Sequence, residues 1–200
     1  MHMDQSKDPF DQSLEYTALK SMREGFAGRV TGGHCTSLAY QPAAHAAKVI
    51  ELLRAAEFNV CVNPQTLAIM GVDPEPRTRG ISRVRELVEA GVNVGTAQDT
   101  ICDGFHIYGT GDPLDYGLLM AYQAQYNSTA SAGKVYDMLT ANAALIMRLN
   151  NYGIAVGYPA DFNIIATPSE SEALRTRPSR TVYRAGRLIA RYDTSSEVLV

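Results

Sequence analysis

Five polar residues of types that bind metals or transfer protons stand at the ends of short apolar runs in this chain. They are His2, Asp4, His34, Asn63 and Asp99, and each run has the composition of a β-strand. Imidazole nitrogen and carboxylate oxygen hold Zn²⁺ or Fe²⁺ while leaving a coordination position open for water. The set therefore indicates a candidate metal site with a position open for water, provided that the strands bring these residues to one edge of a sheet.

Each candidate also has a structural interpretation. A histidine at a strand end is commonly held in a structural hydrogen bond, and Asp99 followed by Thr100 has the composition of a helix N-cap. His45 falls inside a helical pattern, where a packing or solvent-facing role is expected. His106 follows Asp99 in a loop that could face a substrate. Convergence of the strand-end residues on one face would favour chemistry over these alternatives.

Alternating helical and β-like patterns indicate how the candidates would be positioned. In chain order, the sequence predicts a helix at residues 13–23, a strand at 29–33, a helix at 42–56, a strand at 58–62, a helix at 81–90 and a strand at 92–97. Strands that alternate with helices through short connections predict a parallel sheet with crossover helices. In such a fold the carboxyl ends of the strands carry the active site, because the loops converge there.

The rest of the chain has a different character. Residues 114–149 are predicted to be mostly helical, with a break at 127–133. Short strands separated by turns follow at residues 162–166, 180–184 and 187–192. The turn between the last two is short enough for a hairpin. We therefore expect two units, residues 1–150 and residues 151–200.

Composition and charge disfavour several classes of function. The chain of 200 residues has a net charge of -3, which gives no electrostatic basis for binding nucleic acid or an anionic membrane surface. Its apolar runs are shorter than the roughly 20 residues that span a bilayer, and its first residues lack the pattern of a signal peptide. The 3 cysteines have no CxxC spacing, so we expect reduced thiols and a cytoplasmic protein.

Three segments resemble the cytosine deaminase branch of the amidohydrolase superfamily. They are RVTGGHCTSL, NPQTLAIMGVDPEPRTRGISRVRELVEAGVNVGTAQDTICD and NNYGIAVGYPADFNIIA. The middle segment is the most specific, because it combines Asn-Pro after a strand, an RxRGI loop and a strand that turns into an aspartate. The resemblance implies an α/β fold, the C-terminal half of a metal-dependent hydrolase (β/α)8 TIM barrel, with a small β-sandwich remnant at the end of the chain.

The resemblance also implies roles for individual residues. His2 matches the metal ligand of the fifth barrel strand, and Asp99 matches the eighth-strand aspartate that binds the metal and carries a proton. His34 matches the sixth-strand histidine that contacts the substrate or the activated water. Gln5 takes a catalytic, substrate-contacting position that is usually a proton-shuttling glutamate, and Thr100 takes another substrate-contacting position. The implied cofactor is one divalent metal, zinc or iron, and the implied partner is a small heterocyclic substrate; a homo-oligomer is left open.

Departures from the family pattern affect the expected function. Because no His-x-His pair follows a strand, we expect the first-strand metal ligands, and the first four barrel strands, to lie outside these residues. Gln5 cannot titrate, and Thr100 replaces a second acidic residue. The predicted activity is hydrolysis of non-peptide C–N bonds, foremost deamination of a cyclic amidine such as cytosine. The alternatives are hydrolysis of a cyclic or N-substituted amide, an inactive truncated fragment and a heterocycle-binding pseudoenzyme.

Half of a barrel is expected to be a poor folding unit. Its sheet would have two open edges, and we expect interior valines to face solvent, namely Val30, Val60, Val62 and Val94. Residues 1–200 alone would then aggregate, bind no stoichiometric metal and show no deaminase activity. Arg77 and Arg79 are expected to lie in a solvated basic loop.

Overall fold

A four-stranded parallel sheet positions the strand-end residues. The computed structural model describes residues 1–69, 80–195 and 197, so Arg77 and Arg79 lie outside the described residues. The strands occur in chain order as β1 (His2–Met3), β2 (Thr31–His34), β3 (Asn59–Val62) and β4 (Asn93–Thr96). Each strand pairs in parallel with the next, which confirms the predicted sheet.

Helices connect these strands and cover one face of the sheet. They are α1 (Ser13–Arg23), α2 (Ala43–Ala55), α3 (Pro64–Ile69) and α4 (Val84–Glu89), with a 3-10 turn at Thr36–Ala39. Helix α2 buries residues at the spacing i, i+3, i+4, i+7, namely Ala46, Val49, Ile50 and Leu53. The helices predicted at residues 42–56 and 81–90 are therefore present, the second of them shorter. Helix α3 was not predicted.

Strand β2 lies slightly later in the chain than predicted and contains Gly32. A Cβ atom at Gly32 would lie 2.8 Å from Cys35 Sγ, 3.0 Å from Met3 Sδ and 3.1 Å from the Phe58 ring. These side chains pack so closely against the strand that glycine is needed there. Pairing on both edges of β2 outweighs the weak intrinsic preference of glycine for strands.

The expectation that the strand valines face solvent is wrong. All four are buried in the core or packed against it, namely Val30, Val60, Val62 and Val94. Successive residues of a strand point to opposite faces of the sheet. In β3, Val60 and Val62 therefore join the helix-covered core with Leu53, while Asn59 and Cys61 lie on the opposite face and are only partly buried.

The second part of the chain contains helices and a small antiparallel sheet. Its elements are α5 (Pro113–Gln123), α6 (Thr129–Leu139), α7 (Ala141–Ile146), β5 (Phe162–Ile165), α8 (Glu170–Thr176), β6 (Arg180–Arg184) and β7 (Arg187–Tyr192). Strand β6 pairs antiparallel with both β5 and β7, so the predicted hairpin is confirmed. Among the described residues, none of the helices has the combined length and apolar character needed to cross a bilayer.

The break predicted within the helical region is misplaced. Helix α6 begins at Thr129, so residues 129–133 of the predicted break are helical. Ser128 accepts a hydrogen bond from Ser131 N at 3.2 Å, and Ser131 Oγ accepts one from Ser128 N at 3.0 Å. This reciprocal pair satisfies two backbone donors at the helix start. A polar stretch with the composition of a loop is therefore a capped helix N-terminus.

The outer edge of β4 is partly covered by α7. Ala97 N donates to Val62 O at 3.1 Å and so points toward β3. In a parallel sheet, successive residues of a strand direct their N–H and C=O groups to opposite sides. The backbone groups of Val94, three residues earlier, therefore point away from β3. Asn142 Nδ2, from α7, donates to Val94 O at 2.8 Å. This bond satisfies an edge acceptor that would otherwise be available to another strand.

Asp112 connects the start of α5 to the small sheet. Its Oδ1 accepts a hydrogen bond from Leu114 N at 3.0 Å, and its Oδ2 accepts one from Arg180 Nη2 at 2.6 Å. The side chains of Asp112 and Arg180 are only 13% and 15% exposed, so this charge-assisted contact is stronger than a surface ion pair. Helix α8 also packs on α5 and α6. The division at residue 150 stays a prediction.

Replacement of Asp112 by alanine is expected to lower the free energy of unfolding by about 2–4 kcal/mol, because α5 loses its N-cap and Arg180 keeps a mostly buried, unpaired charge. Urea denaturation of the full-length protein measures the change. Glu51→Ala is the control, since it removes an ion pair with Arg54 in which the side chains are 63% and 54% exposed; it should cost less than about 0.5 kcal/mol. Equal effects of the two changes would contradict the role given to Asp112.

Candidate active site

His2, His34 and Asp99 lie together at the carboxyl edge of the parallel sheet. The ring centroids of His2 and His34 are 4.4 Å apart, with the rings tilted by 52°. His34 Nε2 lies 3.9 Å from Asp99 Oδ2. Since the carboxyl ends of parallel strands share one edge, this is the arrangement expected from the sequence. The structure brings the three side chains into one cluster, while their chemical roles stay predictions.

His34 reaches this cluster through an unusual backbone conformation. Simple strand alternation would place its side chain on the same face as Gly32, which is the face covered by helices. The φ angle of His34 is 71°, in the left-handed region that non-glycine residues rarely adopt. The alternation is broken at this residue, and the ring of His34 lies against His2.

The electrostatic surroundings of His34 favour its neutral form. Burial lowers the pKa of His34, and the nearby His2 lowers it further, while the negative charge of Asp99 opposes both effects. A neutral imidazole has one ring nitrogen that donates and one that accepts. His34 can therefore take part in a hydrogen bond of either direction near neutral pH.

Asn63, one of the strand-end candidates, also belongs to the cluster. Its Nδ2 lies 3.4 Å from His34 Nδ1 and 3.5 Å from His34 Nε2. The lone pairs of the two ring nitrogens point in different directions, so one amide N–H cannot be aligned with both. The buried amide of Asn63 can therefore bond to only one ring nitrogen at a time.

The N-cap interpretation of Asp99 is wrong. The next helix along the chain, α5, begins at Pro113 and is capped by Asp112. Asp99 Oδ2 instead accepts a hydrogen bond from Thr66 Oγ1 at 2.9 Å. Sequence reasoning missed Thr66; the available signal was Pro64, which starts a helix directly after β3 and so places the first-turn side chains at the carboxyl edge.

The carboxylate of Asp4 turns away from the cluster and binds the start of α1. It accepts hydrogen bonds from Ser13 N at 3.1 Å, from Leu14 N at 2.9 Å and from the Ser13 hydroxyl. Burial raises the pKa of Asp4, while the bonds from Ser13 and Leu14 lower it. Asp4 is thus a buried helix cap, a role that its position in a strand-end motif did not predict.

The backbone of Asp4 ties β1 to the segment after β2. Its carbonyl oxygen accepts hydrogen bonds from Thr36 N at 2.8 Å and Ser37 N at 3.0 Å. The residue therefore fixes the ends of β1 and β2 relative to each other. His2 and His34 precede these bonds in the chain and lie one register position apart, since His2 pairs with Gly33 and Met3 pairs with His34.

Two side chains of this cluster are of types that can bind a divalent metal. The imidazole of His2 and the carboxylate of Asp99 are ligand types suited to zinc or iron. Burial raises the pKa of the Cys61 thiol, and the charge of Asp99 raises it further, so this thiol is a poor ligand. Within the described ranges, no group of three His, Cys, Asp or Glu side chains is arranged to hold an ion. The donor set fits a metal only with additional ligands.

The remaining residues singled out in the sequence lie in the cluster's surroundings or in other parts of the fold. His45 Nε2 lies 3.1 Å from Glu15 Oε2 and links α2 to α1, in line with the expected packing role. His106 is buried in its own loop, where its backbone N–H bonds to Asp103 at 3.0 Å. Gln5 and Thr100 are partly buried and directly follow Asp4 and Asp99 in the chain. Their contacts with a substrate stay predictions.

Most of the chain is similar in sequence to known hydrolases. A family model described as "Amidohydrolase family" matches residues 2–190. A pterin deaminase of Rhizobium rhizogenes is 33% identical, over 96% of this chain and 44% of its own length. An N-isopropylammelide isopropyl amidohydrolase of Pseudomonas sp. is 27% identical, over 90% of this chain and 42% of its own length.

A solved structure shows the same architecture. The crystal structure of 5-methylcytosine deaminase from Klebsiella pneumoniae, liganded with phosphonocytosine, superposes with a TM-score of 0.91 and 29% identity. The match covers 99% of this chain and 49% of that chain. The chain therefore corresponds to part of an amidohydrolase TIM-barrel enzyme. It spans about half the length of the relatives that it matches.

Replacement of Asp4 by alanine is expected to lower the free energy of unfolding by about 1–3 kcal/mol, because the backbone donors of Ser13 and Leu14 lose their acceptor. Chemical denaturation of the full-length protein, followed by circular dichroism, measures the loss. The matched control is Asp8→Ala, in which an exposed carboxylate gives up a hydrogen bond from Phe10 N; it should cost no more than about 0.5 kcal/mol. An unchanged free energy of unfolding in Asp4→Ala would show that the hydrogen bonds of this cap do not stabilise the fold.

Proposed function

The chain belongs to the amidohydrolase family, and from that premise we propose that it carries part of the active site of a metal-dependent hydrolase of non-peptide C–N bonds. The observation that supports this most directly is the position of His34 Nε2, 3.9 Å from Asp99 Oδ2, with His2 against the same ring. The reaction we propose is deamination of a cyclic amidine. Two of the relatives are named as deaminases, one of pterin and one of 5-methylcytosine.

We assign His2 and Asp99 as ligands of one divalent metal, zinc or iron, together with ligands outside these residues. When bound, such a metal acts as a Lewis acid and makes water nucleophilic near neutral pH. Asp99 takes a proton from the attacking water on a carboxylate oxygen and passes it to the leaving amine. His34 donates a hydrogen bond to the charge that develops at the attacked centre. The substrate we propose is a small heterocycle, as the names of the relatives suggest.

Gln5 distinguishes two candidate reactions. Deamination of a cyclic amidine benefits from an acid that delivers a proton to the ring nitrogen, and a glutamine side chain can hydrogen-bond there but cannot transfer a proton. Removal of an N-alkyl amine from a heterocycle is therefore the second candidate. It is supported by Gln5 and by the relative named N-isopropylammelide isopropyl amidohydrolase. Thr100 would contact either substrate.

We also propose a cytoplasmic location. The thiols of Cys35, Cys61 and Cys102 are unpaired in the structure. Disulfides are rare in the reducing cytoplasm, where thiols stay reduced. The assignment is supported by this thiol chemistry alone.

Asp99→Asn in the full-length protein is expected to lower kcat by at least about 10²-fold, since it removes a charged ligand and the proton carrier. Turnover is measured on cytosine, 5-methylcytosine and pterin by ammonia release, and on N-isopropylammelide by amine release. The control is His45→Gln, at the contact with Glu15 between α1 and α2; its kcat should stay within about 2-fold of the parent. Unchanged turnover in Asp99→Asn would remove Asp99 from the mechanism.

Gln5→Glu is expected to raise deaminase activity on cytosine or pterin by about 10-fold or more, because it restores a titratable group that can protonate the ring. N-dealkylation should not rise in the same variant. A parent protein that binds heterocycles in its metal-loaded form but turns over neither class would support the pseudoenzyme alternative.

A further inference from the structure

The hydrogen bond between Thr66 and Asp99 joins two segments that are distant in sequence. Thr66 Oγ1 donates to Asp99 Oδ2 at 2.9 Å, across 33 positions of the chain. Oδ2 is also the oxygen that faces His34 Nε2, at 3.9 Å. The distance to His34 is too long for a hydrogen bond, so Thr66, and not His34, holds this oxygen.

The carboxylate of Asp99 needs such a partner. Its side chain is 35% exposed, which leaves room for rotation about the terminal bond of the carboxylate. Within residues 1–69, 80–195 and 197, Thr66 is the hydrogen-bond donor to this carboxylate, and Oδ1 accepts no hydrogen bond there. Thr66 therefore holds one oxygen of the Asp99 carboxylate.

Thr66 itself is held in place. It lies in the first turn of α3 and is only 3% exposed. Gln123 Nε2, at the end of α5, donates to Pro64 O at 3.2 Å and so ties the start of α3 to a second helix. The hydroxyl of Thr66 lies on a buried, anchored turn and has little rotational freedom. It can therefore hold the carboxylate of Asp99 in one orientation.

We propose that Thr66 is a positioning residue of the active site, whose hydroxyl fixes the carboxylate of Asp99 with Oδ2 toward His34 and Oδ1 open to the reacting centre. This inference rests on the proposed function of Asp99. It assigns no proton transfer to Thr66, since a threonine hydroxyl has one proton to donate and here it is committed to Oδ2. Only a residue with a short hydroxyl side chain can replace it.

The test uses three variants of the full-length protein. Thr66→Val removes the hydroxyl at nearly constant volume, and Thr66→Ser keeps it. The matched control is Thr96→Val, because Thr96 is equally buried but its Oγ1 donates to Val62 O at 3.0 Å and not to Asp99. The measurements are kcat and KM, the dissociation constant of Zn²⁺ from the metal-depleted protein, and the melting temperature.

We expect Thr66→Val to lower kcat by about 10- to 100-fold and to weaken Zn²⁺ binding by about 10-fold, the range found when a partner of a metal ligand is removed. KM should change by less than about 3-fold, since Thr66 binds Asp99 and not the substrate. Thr66→Ser should restore both values to within about 3-fold. Thr96→Val should lower the melting temperature and leave kcat and Zn²⁺ binding unchanged.

Asp99→Asn, measured in parallel, separates the possible failures. If Asp99→Asn is inactive while Thr66→Val keeps its kcat and Zn²⁺ affinity, the positioning role is wrong and the proposed function stands. If Asp99→Asn stays active, the proposed function itself fails. If Thr66→Val and Thr96→Val lose activity equally, or Thr66→Ser does not recover, Thr66 is only structural. Should Thr66→Val not fold, Thr66→Ala is judged by the same criteria.

Discussion

Asp4, through its buried carboxylate and its backbone carbonyl, holds together the sheet edge that carries the candidate active site. A charged group out of water is costly, and the hydrogen bonds from the start of α1 offset that cost. The same residue accepts two backbone hydrogen bonds from the segment after β2 through its carbonyl oxygen. One residue therefore fixes a strand end, a helix start and a neighbouring strand end together. The strand ends that carry His2 and His34 are thereby held next to each other.

Left-handed backbone conformations recur at the same edge. Asp4, His34 and Asp99 have φ angles of 52°, 71° and 71°, although none of them is glycine. Such conformations cost of order 1–3 kcal/mol each and persist only where the surrounding contacts determine them. Here they direct side chains away from the positions that strand alternation would give. Positive φ angles also occur away from this edge, for example at Glu57 and Gln125, but at the edge they set the directions of the polar side chains.

The sequence by itself determined the parallel α/β arrangement and the family. Alternating helical and strand patterns are local properties, so they can be counted along the chain without knowledge of the fold. The same holds for the order of His2, His34 and Asp99 at successive strand ends, since parallel strands bring their carboxyl ends to one edge. Gln5 and Thr100, as departures from the family pattern, were also visible in the sequence, because a motif position is defined by its neighbours.

Only the tertiary structure decided which side chains meet. The pair of Thr66 and Asp99 is separated by 33 positions, and no local pattern encodes a contact across that distance. Asp4 proved to be a helix cap and not a member of the cluster, because its backbone turns its carboxylate toward α1. Packing likewise decides which face of the sheet the valine side chains occupy. Val60 and the other strand valines lie on the face that the helices cover. Local periodicity gives the two faces of a strand, and long-range packing selects the one that is buried.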